Sequence, residues 1–251
     1  MSPPRILVLT ANIGNYDRSI PSIPCVNQNV YLVNFQSSAQ DHDDVSISGN
    51  SLSFSIRSSS GIARELSRVP KISPRFLFDQ SVNPPPIFPS KIEYARIISE
   101  TIVNPVDYVV WIDANCTLRS LDALQAVCSR VPAKGWGIYS HPDRDCLYRE
   151  ARAVKGFEYV NRSILGSQIS YYRQQGVPSQ YGLYSCNFIV RSIDSLFCSH
   201  ALWDFWLSEF LRWVPRDQLS LPYSLFVHPC HRPTVLGRFS WANDIFCFNP
   251  H

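Results

Sequence analysis

The stretch DYVVWIDANCTL, Asp107 to Leu118, begins polar, runs through the apolar Tyr108 to Ile112 and stops at Asp113, Ala114 and Asn115. A run this short, β-branched and aromatic, closed by Asp and Asn, predicts a buried strand rather than a helix. Such a strand sits centrally in a parallel sheet with both faces covered, and open α/β sheets bind ligands where those strands end. A carboxylate at that edge can hold a divalent cation and, through it, a diphosphate. Asp113 is placed that way, and Asn115, two residues on, points to the same side if the strand continues. The alternative is that Asp113 only caps the loop or the helix that follows.

Outward from this strand the chain reads as α/β. Arg5 to Thr10 (RILVLT) predicts another buried strand at the start, running into a small-residue turn with a single glycine, Gly14. That is how nucleotide-binding α/β domains open, although neither G-x-G-x-x-G nor a P-loop occurs, which weighs against a dinucleotide or P-loop reading. Val30 to Phe35 predicts the next strand. Residues 36–60, rich in Ser, Asp and Asn, read as a mobile surface loop with a short strand around Leu52 to Ile56, and the acidic Asp41, Asp43 and Asp44 in it as solvated. After Pro84 to Pro86 and Pro89, Ser90 to Ile102 predicts a helix with Ser90 as N-cap and Glu93 three residues on. Lys91 in its first turn opposes the helix dipole, a hint that it serves a ligand. Helices follow at about 120–130, 147–175 and 202–214, and strands at 135–139 and 184–190. No repeat or linker divides the chain, so residues 1–251 read as one domain.

The composition excludes several classes. A net charge of +3 is too small to argue for nucleic acid or an anionic membrane surface. Eight cysteines contain no C-x-x-C, and several stand in apolar runs, so buried reduced thiols are expected rather than a zinc ribbon or disulfides. The opening MSPPRILVLTANIG has an apolar run of only Ile6 to Leu9 and no cleavage pattern, and no apolar stretch reaches a membrane span. The expectation is a soluble, cytoplasmic protein.

The order of motifs is specific: TANIGNYD (10–17), SKIEYARI (90–97), DYVVWIDAN (107–115), SHPDRDCLYREA (140–151), SQISYYRQQGVP (167–178), Trp206-x-x-Glu209 and RDQLSLPY (216–223). Taken together this set resembles the DUF616 family, the glycosyltransferase group that includes plant TOD1- and MUCI70-like proteins. The resemblance implies a GT-A-like fold, a Rossmann-type mostly parallel sheet flanked by helices. It also implies transfer of a sugar from a nucleotide-sugar donor to a glycan or glycoconjugate acceptor. GT-A enzymes use Asp-x-Asp after a buried strand to hold a metal on the donor diphosphate, and here Asn115 takes the second place. Asn can ligate through its carbonyl but brings no charge, so Mn2+ or Mg2+ is an open expectation, with Asp113, Asn115, His228 and His231 as candidate ligands. Without a metal, cationic side chains must neutralise the diphosphate, and Lys91, Arg96, His141 and Arg144 are the candidates. Arg144 has the fork that matches phosphate oxygens, unless it pairs with Asp143, Asp145 or Glu150. Asn12, Tyr16 and Asp17 are expected at the nucleoside. For the base that activates an acceptor hydroxyl, Asp217 ranks above Glu209, unless Arg216 pairs with Asp217 and weakens it. Two other readings stay open: a nucleotide-sugar or glycan binder without chemistry, for which 13% aromatic residues suit sugar stacking, and another α/β nucleotide enzyme such as a methyltransferase, disfavoured by the thin glycine turn.

Overall fold

The apolar run that starts the chain becomes strand β1 (Ile6–Asn12), every residue of it buried. The computed structural model describes residues 3–14, 29–38, 43–57, 61–89, 91–102, 105–241 and 243–248. Strands β2 (Val30–Ser37), β3 (Asp44–Ser48), β4 (Ser51–Ile56) and β5 (Tyr108–Ile112) follow, then β6 (Cys116–Leu118), β7 (Trp136–Ser140), β8 (Tyr184–Ser192), β9 (Thr234–Arg238) and β10 (Phe246–Phe248). Eight of them form one sheet in the order β3-β4-β2-β1-β5-β8-β7-β9, and β6 pairs with β10. β1 pairs in parallel with β2 on one side and β5 on the other, and β4 and β9 also join in parallel. Only β3 and β8 run against their neighbours. The fold is thus α/β with a mostly parallel central sheet.

Eight α-helices among the described residues cover it: α1 (Ala63–Ile72), α2 (Tyr94–Thr101), α3 (Leu121–Cys128), α4 (Leu147–Val154), α5 (Arg162–Gln174), α6 (Ile193–Cys198), α7 (His200–Arg212) and α8 (Asp217–Val227). Side chains alternate between two layers, as strand geometry requires. Leu7, Leu9, Val109 and Trp111 pack with Leu66 and Val69 of α1, Trp203 and Trp206 of α7 and Leu221 of α8. Ile6, Val8, Val110 and Ile112 pack on the other face with Leu124 and Val127 of α3 and with Phe246. Each such aliphatic or aromatic side chain stabilises by about 1.5–3 kcal/mol when fully buried, so a strand apolar on both faces is held at the centre of the sheet.

The structure corrects three element assignments. Residues 44–48 are a strand of the main sheet, not loop, an edge strand whose exposure made it look like loop; the strand expected around Leu52 to Ile56 is β4, to which it pairs, with Leu52, Phe54 and Ile56 pointing inward and the intervening serines not. Asp43 and Asp44 serve this hairpin, accepting from the backbone N–H of Arg57 and of Val45, while Asp41 lies outside the described residues. The helix expected from Ser90 starts at Tyr94, because the Tyr94 N–H donates to the Ile92 carbonyl at 3.0 Å in a turn too tight for helix. Lys91 is therefore exposed before the helix rather than in its first turn. Residues 147–175 form two helices, broken around Gly156. The cysteines agree with the sequence: Cys116, Cys128, Cys146 and Cys186 are buried thiols, and no disulfide joins any described pair. No helix among the described residues is long and apolar enough to cross a membrane.

Candidate active site

Trp111 and Asp113 are two residues apart and so share a side of the β5 line, the side covered by α1, α7 and α8. The Trp111 indole N–H donates to Asp113 Oδ1 at 2.6 Å, fixing a half-buried carboxylate at the strand end. The chain turns at once: the Cys116 N–H donates to the Asp113 carbonyl at 2.9 Å. Asn115 therefore sits in a turn and does not continue the strand beside Asp113, as the sequence suggested. The adjacent β1 ends at Asn12, also buried, at the same edge. Because β2 lies to one side of β1 and β5 to the other, this is the switch point of the sheet, the place where open α/β sheets bind ligands.

Lys71 reaches this edge from the last turn of α1 with 1% of its side chain exposed. Ala63, Leu66, Ser67 and Pro70 form the inner stripe of that helix, and Lys71, four residues beyond Ser67, continues it. Its Nζ lies 3.0 Å from Asp113 Oδ1 and 2.5 Å from Asp217 Oδ2. Arg68, one turn earlier, stands 3.6 Å from the same Asp217 oxygen. Asp217 opens α8, where an anion suits the helix dipole, and its Oδ1 accepts from the Gln218 N–H at 2.9 Å. Burial pushes the Asp217 carboxyl up, but Lys71, Arg68 and Arg216 more than reverse this and hold it well below the usual carboxylate range.

A second knot adjoins the first through the Arg216-Asp217 peptide. Leu147, Ala151 and Val154 of α4 form an apolar stripe with Glu150 set into it, fully buried. Its carboxylate accepts from Arg144 Nε at 2.7 Å and from Arg216 Nη2 at 2.8 Å. Of the three pairings weighed for Arg144, Glu150 is the one found. The Arg216 guanidinium goes to Glu150 rather than to Asp217. Here two cations face one anion, and both arginine side chains stay about a quarter exposed (26% and 25%). His141, after β7, accepts the Asp143 and Arg144 backbone N–H groups on Nδ1 at 3.1 and 3.2 Å. Burial lowers its pKa, with Arg144 and Arg216 acting the same way against Glu150 and Asp143, so it is a neutral organiser of the loop and not the cation the sequence proposed. Between the knots lies Cys186 of β8, where burial and the nearby Asp217 and Asp113, against Lys71 and Arg216, push the thiol well above its usual value. A buried thiol raised in this way carries little thiolate, the form that acts as a nucleophile.

The remaining predicted residues fall elsewhere. Arg96 is spent on Glu93 and Glu100 along the outer face of α2, at 2.6 and 2.9 Å. Glu209 is buried, not exposed, and accepts from Trp213 Nε1 at 3.0 Å among aromatic residues of α5, α7 and α8. His228 follows the last residue of α8, whose 11 residues span about 16 Å from Asp217. Its ring packs on Phe205, and His231 Nδ1 meets Ser199 Oγ at 3.0 Å. Neither histidine joins Asp113. Tyr16 and Asp17 lie outside the described residues. Lys71 and Arg68 were not singled out from the sequence, and Arg216 only as a partner for Asp217. A lysine continuing an apolar helical stripe was the available signal for the first.

The donor set does not fit a divalent ion. Asp113 Oδ1 and both Asp217 oxygens already face nitrogen donors, and no group of three or more His, Cys, Asp or Glu side chains that could hold a metal occurs among the described residues. A depression of about 470 Å3 bordered by His141, Arg144 and Tyr184 opens beside the knots. A larger one, about 940 Å3, lies at the opposite, amino edge, where Arg5 and Asp107 pair with each other, and carries no comparable cluster.

The family model described as TOD1/MUCI70, glycosyltransferase-like domain, matches residues 91–235, which include Asp113, His141, Arg144, Glu150, Arg216 and Asp217. No curated protein sequence matches the chain.

Proposed function

The chain belongs to the TOD1/MUCI70 glycosyltransferase-like family, and from that premise we propose that it transfers a sugar from a nucleotide-sugar donor to an acceptor hydroxyl, on a GT-A-like fold. The observation that carries this is the convergence of charged residues from α1, α4, α8 and the loop after β7 on the carboxyl edge, at the switch point flanked by Asn12 and Asp113. In this reading Asn12 and the turn after it take the nucleoside. Arg144 and Arg216, with one positive charge beyond what Glu150 balances, face the departing diphosphate and stabilise the charge that develops there. Arg144 Nε makes the short bond to Glu150 and its Nη2 meets His141 Nε2 at 3.1 Å, so in this reading Nη1 is the donor offered to a phosphate oxygen. Asp217 stays ionised but is too weak a base to take a hydroxyl proton, so we assign it to orienting Lys71 and Asp113 rather than to proton transfer.

The test is a donor screen with purified protein, read by nucleotide release. Turnover that falls at least tenfold in Arg144→Ala, with the nucleoside bound as before and the diphosphate form bound more weakly, supports the proposal. A second reading, a nucleotide-sugar binder without chemistry, draws on the same weakened Asp217. Donor affinity without release by any donor would move the assignment there.

A further inference from the structure

We infer that Lys71 is the resident cation of the Asp113–Asp217 pair and fills the place a divalent metal would take between two such carboxylates. The three groups come from separate elements: the end of α1, the end of β5 and the start of α8. They meet at the ammonium, 3.0 Å from one carboxylate and 2.5 Å from the other. Two oppositely charged neighbours at such distances, away from water, attract far more strongly than they would in solvent. The position is built rather than incidental. Trp111 aims Asp113 with a 2.6 Å hydrogen bond, and the Trp111 ring lies 5.7 Å from the ammonium. Behind Lys71, the buried Arg191 of β8 donates from Nη2 to the Lys71 carbonyl at 2.8 Å, pinning the turn from which the side chain extends.

Charge and ligand count both argue for an ammonium here. Lys71 and Arg68 balance Asp113 and Asp217, two cations against two anions, so a divalent ion beside them would enter a site already neutral and be repelled by both. Mg2+ or Mn2+ also asks for about six oxygen ligands. Lys71 sets its ammonium against one oxygen of each carboxylate, Asp113 Oδ1 and Asp217 Oδ2, where such an ion would have to sit, and it needs no further ligand. Lys71 is thus a positioning residue: it sets where Asp113 points at the sheet edge, without touching a ligand itself. On the reading of this edge as a donor site, the consequence is sugar transfer that tolerates chelators.

Binding of Mn2+ to the free protein, followed by loss of the free-ion electron paramagnetic resonance signal, tests this without a donor, so its failure is distinct from failure of the glycosyltransferase reading. The parent protein is expected to leave the signal unchanged. Lys71→Ala, which takes the ammonium away from both carboxylates, is expected to take up one ion per chain, and Lys71→Ala with Asp113→Asn to lose it. A parent protein that binds one Mn2+ and loses it on Asp113→Asn overturns the inference. So does a folded Lys71→Ala, checked by circular dichroism, that takes up none. Should Lys71→Ala fail to fold, the comparison of the parent with Asp113→Asn decides alone.

Discussion

Asp217 keeps a full negative charge where burial alone would discharge it, because Lys71 and Arg68 lie against it. Removing one partner of a buried ion pair is costly, since the other is left without compensation, and Asp217→Asn is expected to lose about 3–5 kcal/mol in urea denaturation at neutral pH. The pH dependence has a definite sign. The folded pKa lies below the ordinary 3.8, so the stabilisation is fully present above that value and is lost as pH falls through the folded value. The gap between parent and variant should therefore narrow in strong acid, and a gap that holds constant down to acid unfolding would show that Lys71 does not stabilise the ionised form. Glu150 is the sharper case. It is fully buried and serves two arginines, so Glu150→Gln strands two guanidinium groups on one neutral amide and should cost at least as much. If Glu150→Gln melts like the parent protein, the second knot is not what holds α4 to the start of α8.

At the scale of elements, the site depends on how closely helices and strands approach. β7 sets the loop that carries His141 and Arg144, and its own position depends on Gly137. A Cβ there would meet Val131 Cγ2 at 2.8 Å and Leu236 Cδ2 at 2.9 Å, closer than packed atoms allow. Gly137→Ala is thus expected to cost about 1–3 kcal/mol through overpacking, read as a lower midpoint with an unchanged denaturant slope. A variant as stable as the parent would mean that β9 and the turn at Val131 yield freely. The elements also show what could be read in advance. β1, β5 and β8 announce themselves as short apolar runs, because a strand covered on both faces has no polar period to hide in. β3 did not, since an edge strand is mostly exposed and its Asp and Ser resemble a loop. α1 was passed over because Pro70 sits inside it just before Lys71, and an internal proline reads locally as a break.

Across the whole molecule, the charged groups of the site were legible only as motifs. Asp113, the His141 and Arg144 segment, Glu150 and Arg216-Asp217 are all visible in order along the chain, yet nothing local says that Arg144 and Arg216 meet on Glu150. The Lys71 partners stand 42 and 146 positions away, and only the folded sheet edge brings them together. The same long-range burial predicts a sensitivity to mild acid for the protein as a whole. Burial lowers the pKa of His141, and likewise that of His228, where His231 adds to the effect. Below the ordinary value of 6.5 the unfolded chain takes up protons that these two side chains refuse when folded, so stability must fall as pH drops. The expected result is a melting temperature that declines between about pH 7 and pH 5, before any carboxylate pair is broken. His141→Asn should flatten part of that decline. Its amide oxygen can still accept the Asp143 and Arg144 N–H groups, but it does not titrate. Melting curves of parent and variant at matched pH check this, and equal slopes in the two proteins would show that the buried imidazole beside Glu150 is not what couples folding to protons.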